Sequence, residues 1–421
     1  MKRFPSAHAT HPQWTMAVQL VLAQLRAQMA LPEYAQSPAL GLVYITLPYA
    51  SHAARILECL ATELPGVSDW AGAAGAGVCA AGVEYLDEPA LSVMLCDLPR
   101  DQYRVWSGLT PLPPAMRFRP HMALVHADGN TPDLPDLIDE LAARTASGYL
   151  FGGLTASRAA AAPQFAWSGP AQGLPPGSAA DGVFAGGLSG VAFGRGVLMA
   201  SRVTQSCQPI ASEHRVTSAE DNILLALDHQ PALDVLIDDL GLDTSRPHRA
   251  LAALRQTLAG LAEADEDGVR RTGDFGPGVR VRHLIGIDPG RRAVVIADEP
   301  QPGQRLAFCQ RNARAARADL VRICAEIREV LEPRQIIASD DDADANETAP
   351  ASGARICGAH YVSCASRGGA YFGASAAQLH AIRQTLGDVP LVGFFADGEI
   401  AYRYLYGYTG VLTVFAERAP G

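Results

Sequence analysis

The stretch VPLVGFFADGEI, residues 389–400, decides how the chain is read. A nearly continuous apolar run ends in Ala396-Asp397-Gly398-Glu399. Such a run, bounded by turn residues, is the pattern of a strand buried on both faces. The glycine turn then delivers a carboxylate, Glu399, suited to a cap, a catalytic acid or one wall of a pocket. Just upstream, SAAQLHAIRQTLG (375–387) has helical spacing, with Ser375 and Gln378 placed as a capping box and Gly387 as a stop.

This succession of helix, short turn and apolar strand ending in glycine also occurs at 53–77 and 134–153. Gly72 and Gly77 have the spacing of Gly393 and Gly398. A remote duplication, one αβ layer per half, accounts for it; so does chance recurrence of a common unit.

Residues 12–29 read as a helix capped by Thr10, with Trp14, Val18, Val21 and Leu25 on one face. Residues 159–182, rich in Ala, Pro, Gly and Ser, read as a mobile loop or lid. A hairpin about Gly194-Arg195-Gly196 fits 187–203. Residues 223–241 read as strand, turn and helix, and 247–263 as a helix. Strands follow at 279–287, 292–298 and 304–309. A long helix at 313–331 places Leu320, Ile323, Ile327 and Leu331 together. The acidic stretch 338–352 reads as an exposed insertion. The whole predicts an α/β (α+β) chain: an N-terminal helical extension over 1–37 and two related αβ domains, 38–244 and 245–421. Each domain is expected to be a mixed or mostly antiparallel sheet packed with helices, with the main cleft between the domains.

The 421 residues are 48% hydrophobic and 19% charged, a globular balance. A net charge of −10 argues against a general nucleic-acid binder. The eight cysteines are scattered without a CxxC, so no zinc site or redox pair is signalled. The N-terminus has no apolar export core, and no stretch reaches the ~20 apolar residues of a membrane span. The expectation is a soluble, cytoplasmic protein without membrane insertion.

Several motifs fail on inspection. Asp342-x-Asp344-x-Asn346 starts like an EF-hand loop, but the sixth position is Glu347 and the twelfth Gly353. GAAGAGVCAAG (72–82) has no following Lys-Ser/Thr, so it is no Walker loop; close backbone packing is the better account of its glycines. There is no HExxH and no GxSxG.

SCASRGG (363–369) is different. It ends an apolar strand and combines the Cys364 thiol, the fixed charge of Arg367 and two flexible glycines, Gly368 and Gly369. A guanidinium binds carboxylate or phosphate bidentately and lowers the pKa of a nearby thiol. A third piece, YLYGYTGVLTVF (404–415), brings Tyr408 and Thr409 to the start of another buried strand.

Together SCASRGGAYFG, LGDVPLVGFFADGEI and LYGYTGVLTVF resemble the C-terminal half of the FIST (F-box and intracellular signal transduction) family. GAAGAGVCAAGVEYLDEPALSVMLCDLP, FGGLTASR and SCQPIASEHRVTSAEDNILLALDHQPALDVL resemble its N-terminal half. The likeness covers roughly 38–240 and 245–418. Here Ala73-Ala74 stand where relatives often show Cys-Ser. The resemblance implies a sensory module that binds a small ligand, such as an amino acid, and feeds signal transduction through a separate protein partner. It implies no established enzymatic activity, no cofactor and no metal. An amino-acid-like ligand would offer its carboxylate to Arg367 and its ammonium to Glu399. Gly368, Gly369 and Gly398 would let backbone amides approach, Cys364, Tyr408 and Thr409 would line the site, and Gly152, Gly153 and Ser157 would contribute from the other half. Two other readings stay open. One is an enzyme with Cys364 as nucleophile or redox thiol and Glu399 or a histidine as base, although His360 sits about 13 Å away along the strand. The other is a protein-interaction scaffold.

Overall fold

The computed structural model describes residues 2–112, 116–156, 162–169, 182–242, 247–264, 268–269, 275–276, 278–332 and 353–418. The expected insertion at 338–352 and the candidate Ser157 lie outside these residues. The fold is mixed α/β, as the sequence predicts.

Two compact units are present. The first comprises Met1–Val203, Leu320–Leu405 and Gly410–Gly421; the second comprises Thr204–Asp319 and Tyr406–Thr409. These units interleave along the chain and do not follow its two halves.

In chain order, the first unit begins with β1 (Ser6–Thr10), α1 (Trp14–Met29), β2 (Leu40–Thr46), α2 (Ala53–Glu63), β3 (Asp69–Gly75), β4 (Gly77–Ala80), β5 (Val83–Leu86) and β6 (Ala90–Cys96). It continues with β7 (Tyr103–Ser107), β8 (Met122–Ala127), α3 (Leu134–Ala143), β9 (Tyr149–Leu154), β10 (Pro163–Ser168), β11 (Val183–Ala185), β12 (Leu188–Phe193) and β13 (Leu198–Thr204).

The second unit carries β14 (Cys207–Pro209), β15 (His214–Glu220), β16 (Ile223–Leu227), β17 (Gln230–Pro231), α4 (Ala232–Asp239), α5 (Pro247–Gln256), β18 (Leu258–Ala262), β19 (Arg280–Asp288), β20 (Ala293–Ile296) and β21 (Arg305–Arg311). Helix α6 (Ala313–Leu331) leads back to the first unit, which ends with β22 (Ala354–Cys364), α7 (Ala377–Leu386), β23 (Leu391–Ala396), β24 (Glu399–Tyr402), β25 (Tyr404–Tyr406) and β26 (Gly410–Arg418).

Three six-stranded sheets build the first unit, in the orders β1-β6-β2-β3-β10-β11, β7-β12-β8-β9-β24-β25 and β13-β26-β22-β23-β4-β5. Position by position the orders match. The centre of each is a parallel pair joined by a helix: β2–α2–β3, β8–α3–β9 and β22–α7–β23. The strands flanking each pair run antiparallel to it. The sequence pattern seen three times is therefore a threefold structural repeat. The strand pair that follows each parallel unit crosses to another sheet: β4–β5 completes the third, β10–β11 the first and β24–β25 the second.

Glycine makes the parallel pairs possible. Gly72, Gly152 and Gly393 occupy the same register position, opposite Val43, Val125 and Tyr361. A Cβ on them would lie 1.7 Å from the Val43 carbonyl oxygen, 1.8 Å from that of Val125 and 1.8 Å from that of Tyr361. Gly72 and Gly152 also take φ of 159° and 148°, a region closed to other residues. Close packing is thus the role of Gly72, Gly75 and Gly77 in the Gly-rich segment 72–82.

The helices bury their apolar stripes on one face of each sheet. Val21, Leu25, Ile56 and Leu60 pack over Val43 and Val93; Ile138 and Leu141 over Val125 and Ile400; Ile323, Ile327, Leu379 and Ile382 over Tyr361 and Leu412. In the second unit β21, β15, β16, β20, β19 and β18 follow one another and β18 pairs back onto β21, closing an antiparallel ring.

Several local expectations are corrected. Thr10 ends β1 and bonds to the Pro89 carbonyl, so it does not cap α1. Because β1 pairs with β6 over five residues, the N-terminal segment is part of the first sheet. Strand β10 lies within the presumed loop 159–182, where Phe165 and Trp167 join the core. The expected hairpin at 187–203 is split: β12 pairs with β7 and β8, while β13 joins β26 in another sheet. The helix expected over 247–263 stops at Gln256, and 258–262 form a strand.

Candidate functional site

Strand β22 ends at Cys364, which is registered with Ala396 at the end of its parallel neighbour β23. Arg367 and Glu399 each lie three residues beyond these ends. The carboxyl ends of adjacent parallel strands are a recurrent place for ligands, because loops leave there at one level.

Arg367 stands on a 3-10 turn, Ala365–Arg367, and is fully buried. Its guanidinium lies 5.2 Å from the centre of the Phe372 ring, and its Nη2 donates to the Tyr361 hydroxyl at 3.4 Å. That hydroxyl donates to Oε1 of Gln378 at 3.0 Å, and Ser363 donates to the same oxygen at 3.0 Å. The Gln378 Nε2 is buried and has no hydrogen-bond partner among the described residues. Burial raises the Tyr361 phenol pKa, against the opposing pull of Arg367.

The loop is held from outside. Glu84, on β5, accepts from the backbone N–H of Gly369 and from the Ser375 hydroxyl through one oxygen, both at 3.0 Å. Gly369 has φ of 65°, a left-handed conformation that glycine adopts without a steric cost. Gly368 leaves room for Leu86, whose Cδ1 would sit 2.8 Å from an added Cβ. The capping box read at Ser375 and Gln378 does not form: Ser375 serves Glu84, Gln378 serves Tyr361 and Ser363, and α7 starts without a side-chain cap. Cys364 is buried, with Sγ 3.1 Å from the Ser366 hydroxyl.

Glu399 opens β24 directly opposite Gly153 of β9 and is fully buried. Its neighbour Ile400 packs beneath α3, so the alternation of the strand turns Glu399 to the other face. A Cβ on Gly153 would lie 2.8 Å from Val362 and 2.9 Å from Ala396, which places this corner against β22 and β23. Gly398 accepts the N–H of Leu154 at 2.8 Å. The structure therefore brings Gly152, Gly153, Gly398 and Glu399 together, and Cys364, Arg367, Gly368 and Gly369 together. Tyr408 and Thr409 belong to the second unit. There Tyr408, at φ of 64°, bonds to His283 and lies under Arg311 at 5.4 Å.

Sequence reading missed Glu84, Tyr361, Ser363 and Gln378. Tyr361 and Ser363 carried a usable signal, since i and i+2 of HYVSC share a face. Glu84 carried none, because it comes from a distant strand pair.

A second buried polar group lies on the opposite face of β22. The Tyr44 hydroxyl is 2.9 Å from Nε2 of His126 and 2.6 Å from Nε2 of His360. The three residues come from β2, β8 and β22, one per sheet, and all are fully buried. Burial lowers both imidazole pKa values to about 3, with each other's charge adding to the effect at His126. Among the described residues no group of three or more His, Cys, Asp or Glu could hold a metal.

These features define a mixed αβ protein with buried polar groups at its parallel strand ends. Family models give the particular assignment: the FIST N domain matches residues 39–230 and the FIST C domain 232–402. The chain belongs to the FIST family, whose domains are associated with sensing in signal transduction. It is 29% identical over 239 residues to an uncharacterized protein of Mycobacterium tuberculosis, covering 56% of this chain and 55% of the relative. A Mycobacterium bovis protein, also uncharacterized, is 29% identical over 220 residues, 51% of this chain and 50% of the relative. The chain thus spans about half the length of the curated relatives it matches. Among the described residues, no helix is long and apolar enough to cross a membrane.

Proposed function

We propose that the chain is a small-ligand sensor whose first unit takes a carboxylate-bearing ligand at the Arg367 loop. The observation that carries this is the pairing of two buried donors in one network. The guanidinium of Arg367 and the side-chain amide of Gln378 are joined through Tyr361, whose hydroxyl bonds to Oε1, and the Gln378 Nε2 donor is unmatched among the described residues. A carboxylate accepts from both kinds of donor, and a guanidinium adds a charge-assisted bond. Glu399, leaving the neighbouring strand at the same level, supplies the counter-group for an ammonium. An amino acid is the simplest ligand with both features. Output passes to a separate signalling protein.

Thermal-shift titration with the twenty amino acids, set beside the matched amines lacking the carboxylate, tests this. A stabilisation that saturates with ligand concentration, absent with the amines and lost in Arg367→Met, is the expected result. A flat response to every carboxylate, or one unchanged by Arg367→Met, overturns it.

A further inference from the structure

The Tyr44–His126–His360 cluster has no part in the carboxylate reading and poses its own problem of proton bookkeeping. Both imidazoles are neutral, because burial opposes their protonation. Burial likewise holds the Tyr44 phenol well above its ordinary value, so it keeps its proton. Each imidazole spends its Nε2 on the same phenolic oxygen, at 2.9 and 2.6 Å. The phenol has one hydrogen to donate. It satisfies one Nε2 as an acceptor, and the other Nε2 must then be a donor toward the phenolic oxygen. One histidine is therefore protonated at Nδ1 and the other at Nε2. The two Nδ1 atoms are buried without hydrogen-bond partners among the described residues. Phe394 stacks on Tyr44 at 4.9 Å and 12°, which fixes the ring so that its hydroxyl stays between the imidazoles.

We propose that these three residues form a neutral proton relay joining the three sheets, with its ends at Nδ1 of His126 and Nδ1 of His360. In one direction His126 carries a proton on Nδ1, Tyr44 donates to His126, and His360 donates to Tyr44. The relay reverses in balanced steps. Nδ1 of His126 releases its proton and Nε2 takes the Tyr44 proton. The Tyr44 oxygen takes the proton of His360 Nε2, and Nδ1 of His360 gains one. One proton leaves at one end, one enters at the other, and every group is neutral before and after. An uncharged hydrogen-bonding group, such as a hydroxyl, an amide or water, is the chemistry that suits each end. A donor presented to His126 Nδ1 turns His360 Nδ1 into a donor, so the state of one end is read at the other, in a different sheet.

The test is long-range proton–nitrogen NMR on the full chain labelled with 15N-histidine at neutral pH, with metal content measured on the same sample. The expected spectrum shows one of these two imidazoles protonated at Nδ1 and the other at Nε2. If reversal is fast, both rings instead show averaged signals midway between protonated and bare nitrogen. Tyr44→Phe should remove this pairing and shift at least one ring to the other tautomer. Should that variant not fold, the wild-type spectrum decides alone. Two rings in the same tautomer, an imidazolium signal from either, or a stoichiometric metal shared by the two Nε2 atoms overturns the relay.

Discussion

His360 and Tyr361 are adjacent in one strand, and the two faces they serve solve burial of polar groups in opposite ways. Beneath α7, Tyr361 belongs to a site built around a fixed charge, Arg367, within a fan of hydrogen bonds and an aromatic face. On the other face, His360 joins a cluster that carries no charge because its members have been driven neutral. A guanidinium cannot shed its proton, so the protein must surround it with partners; an imidazole can, so burial alone disarms it. The charged face is suited to capturing an ion, and the neutral face to arranging protons.

The contrast can be broken at several levels. The largest effect should come from removing the frame both faces share. Gly152→Ala forces a Cβ to within 1.8 Å of the Val125 carbonyl oxygen and should leave the protein unfolded or insoluble. Gly108→Ala, with nothing within 4 Å, should stay within about 0.5 kcal/mol of the parent in urea unfolding. A parent-like Gly152→Ala would mean the strand pairs are not this close.

Next in size is acid. The folded-state pKa of His126 and His360 is about 3 against an ordinary 6.5. Between those values the unfolded chain binds protons that the folded chain refuses, so stability present above pH 6.5 is lost as pH falls toward 3. Each histidine should cost about 1.4 kcal/mol per pH unit in that window. Urea midpoints measured from pH 8 to 4 should hold steady and then fall; a midpoint flat down to pH 4 would show that the cluster is hydrated or already protonated.

The charged face should respond more modestly. Glu84→Gln weakens the bonds to Gly369 and Ser375 and should cost about 1–3 kcal/mol. It should also raise the hydrogen-exchange rate of the Gly369 amide. Ser375→Ala removes one of those bonds and should cost about 1 kcal/mol, without a change in the acid response. Equal losses from the two substitutions would show that the Gly369 bond contributes nothing.

Much of this was legible from sequence where the signal is local. The buried strand at 389–400, the face of α6, the strand–turn–helix at 223–241 and the glycines at repeated spacing all follow from short-range pattern. What was not legible depends on partners far away in the chain. Strand β10 hides in a segment whose composition reads as loop, and only its pairing with β3 makes it a strand. Apolar runs on either side of Gly194-Arg195-Gly196 look like a hairpin, because nothing in them records that they enter different sheets. Tyr44, His126 and His360 have no common spacing, so the cluster exists only after three sheets meet.

The crossing of each strand pair into another sheet has a consequence for how the chain is made. Strand β4 leaves the ribosome about 310 residues before β23, the strand it must lie beside. At roughly 5–20 residues per second of synthesis, that edge waits on the order of 15–60 seconds for its neighbour. At the start of that interval the first sheet still lacks β10 and β11, and the parallel pair of the third sheet has not been made. A nascent chain of this design cannot finish one repeat before starting the next; β11 completes the first sheet, β25 the second and β26 the third, so the final strands to emerge close work begun at the start.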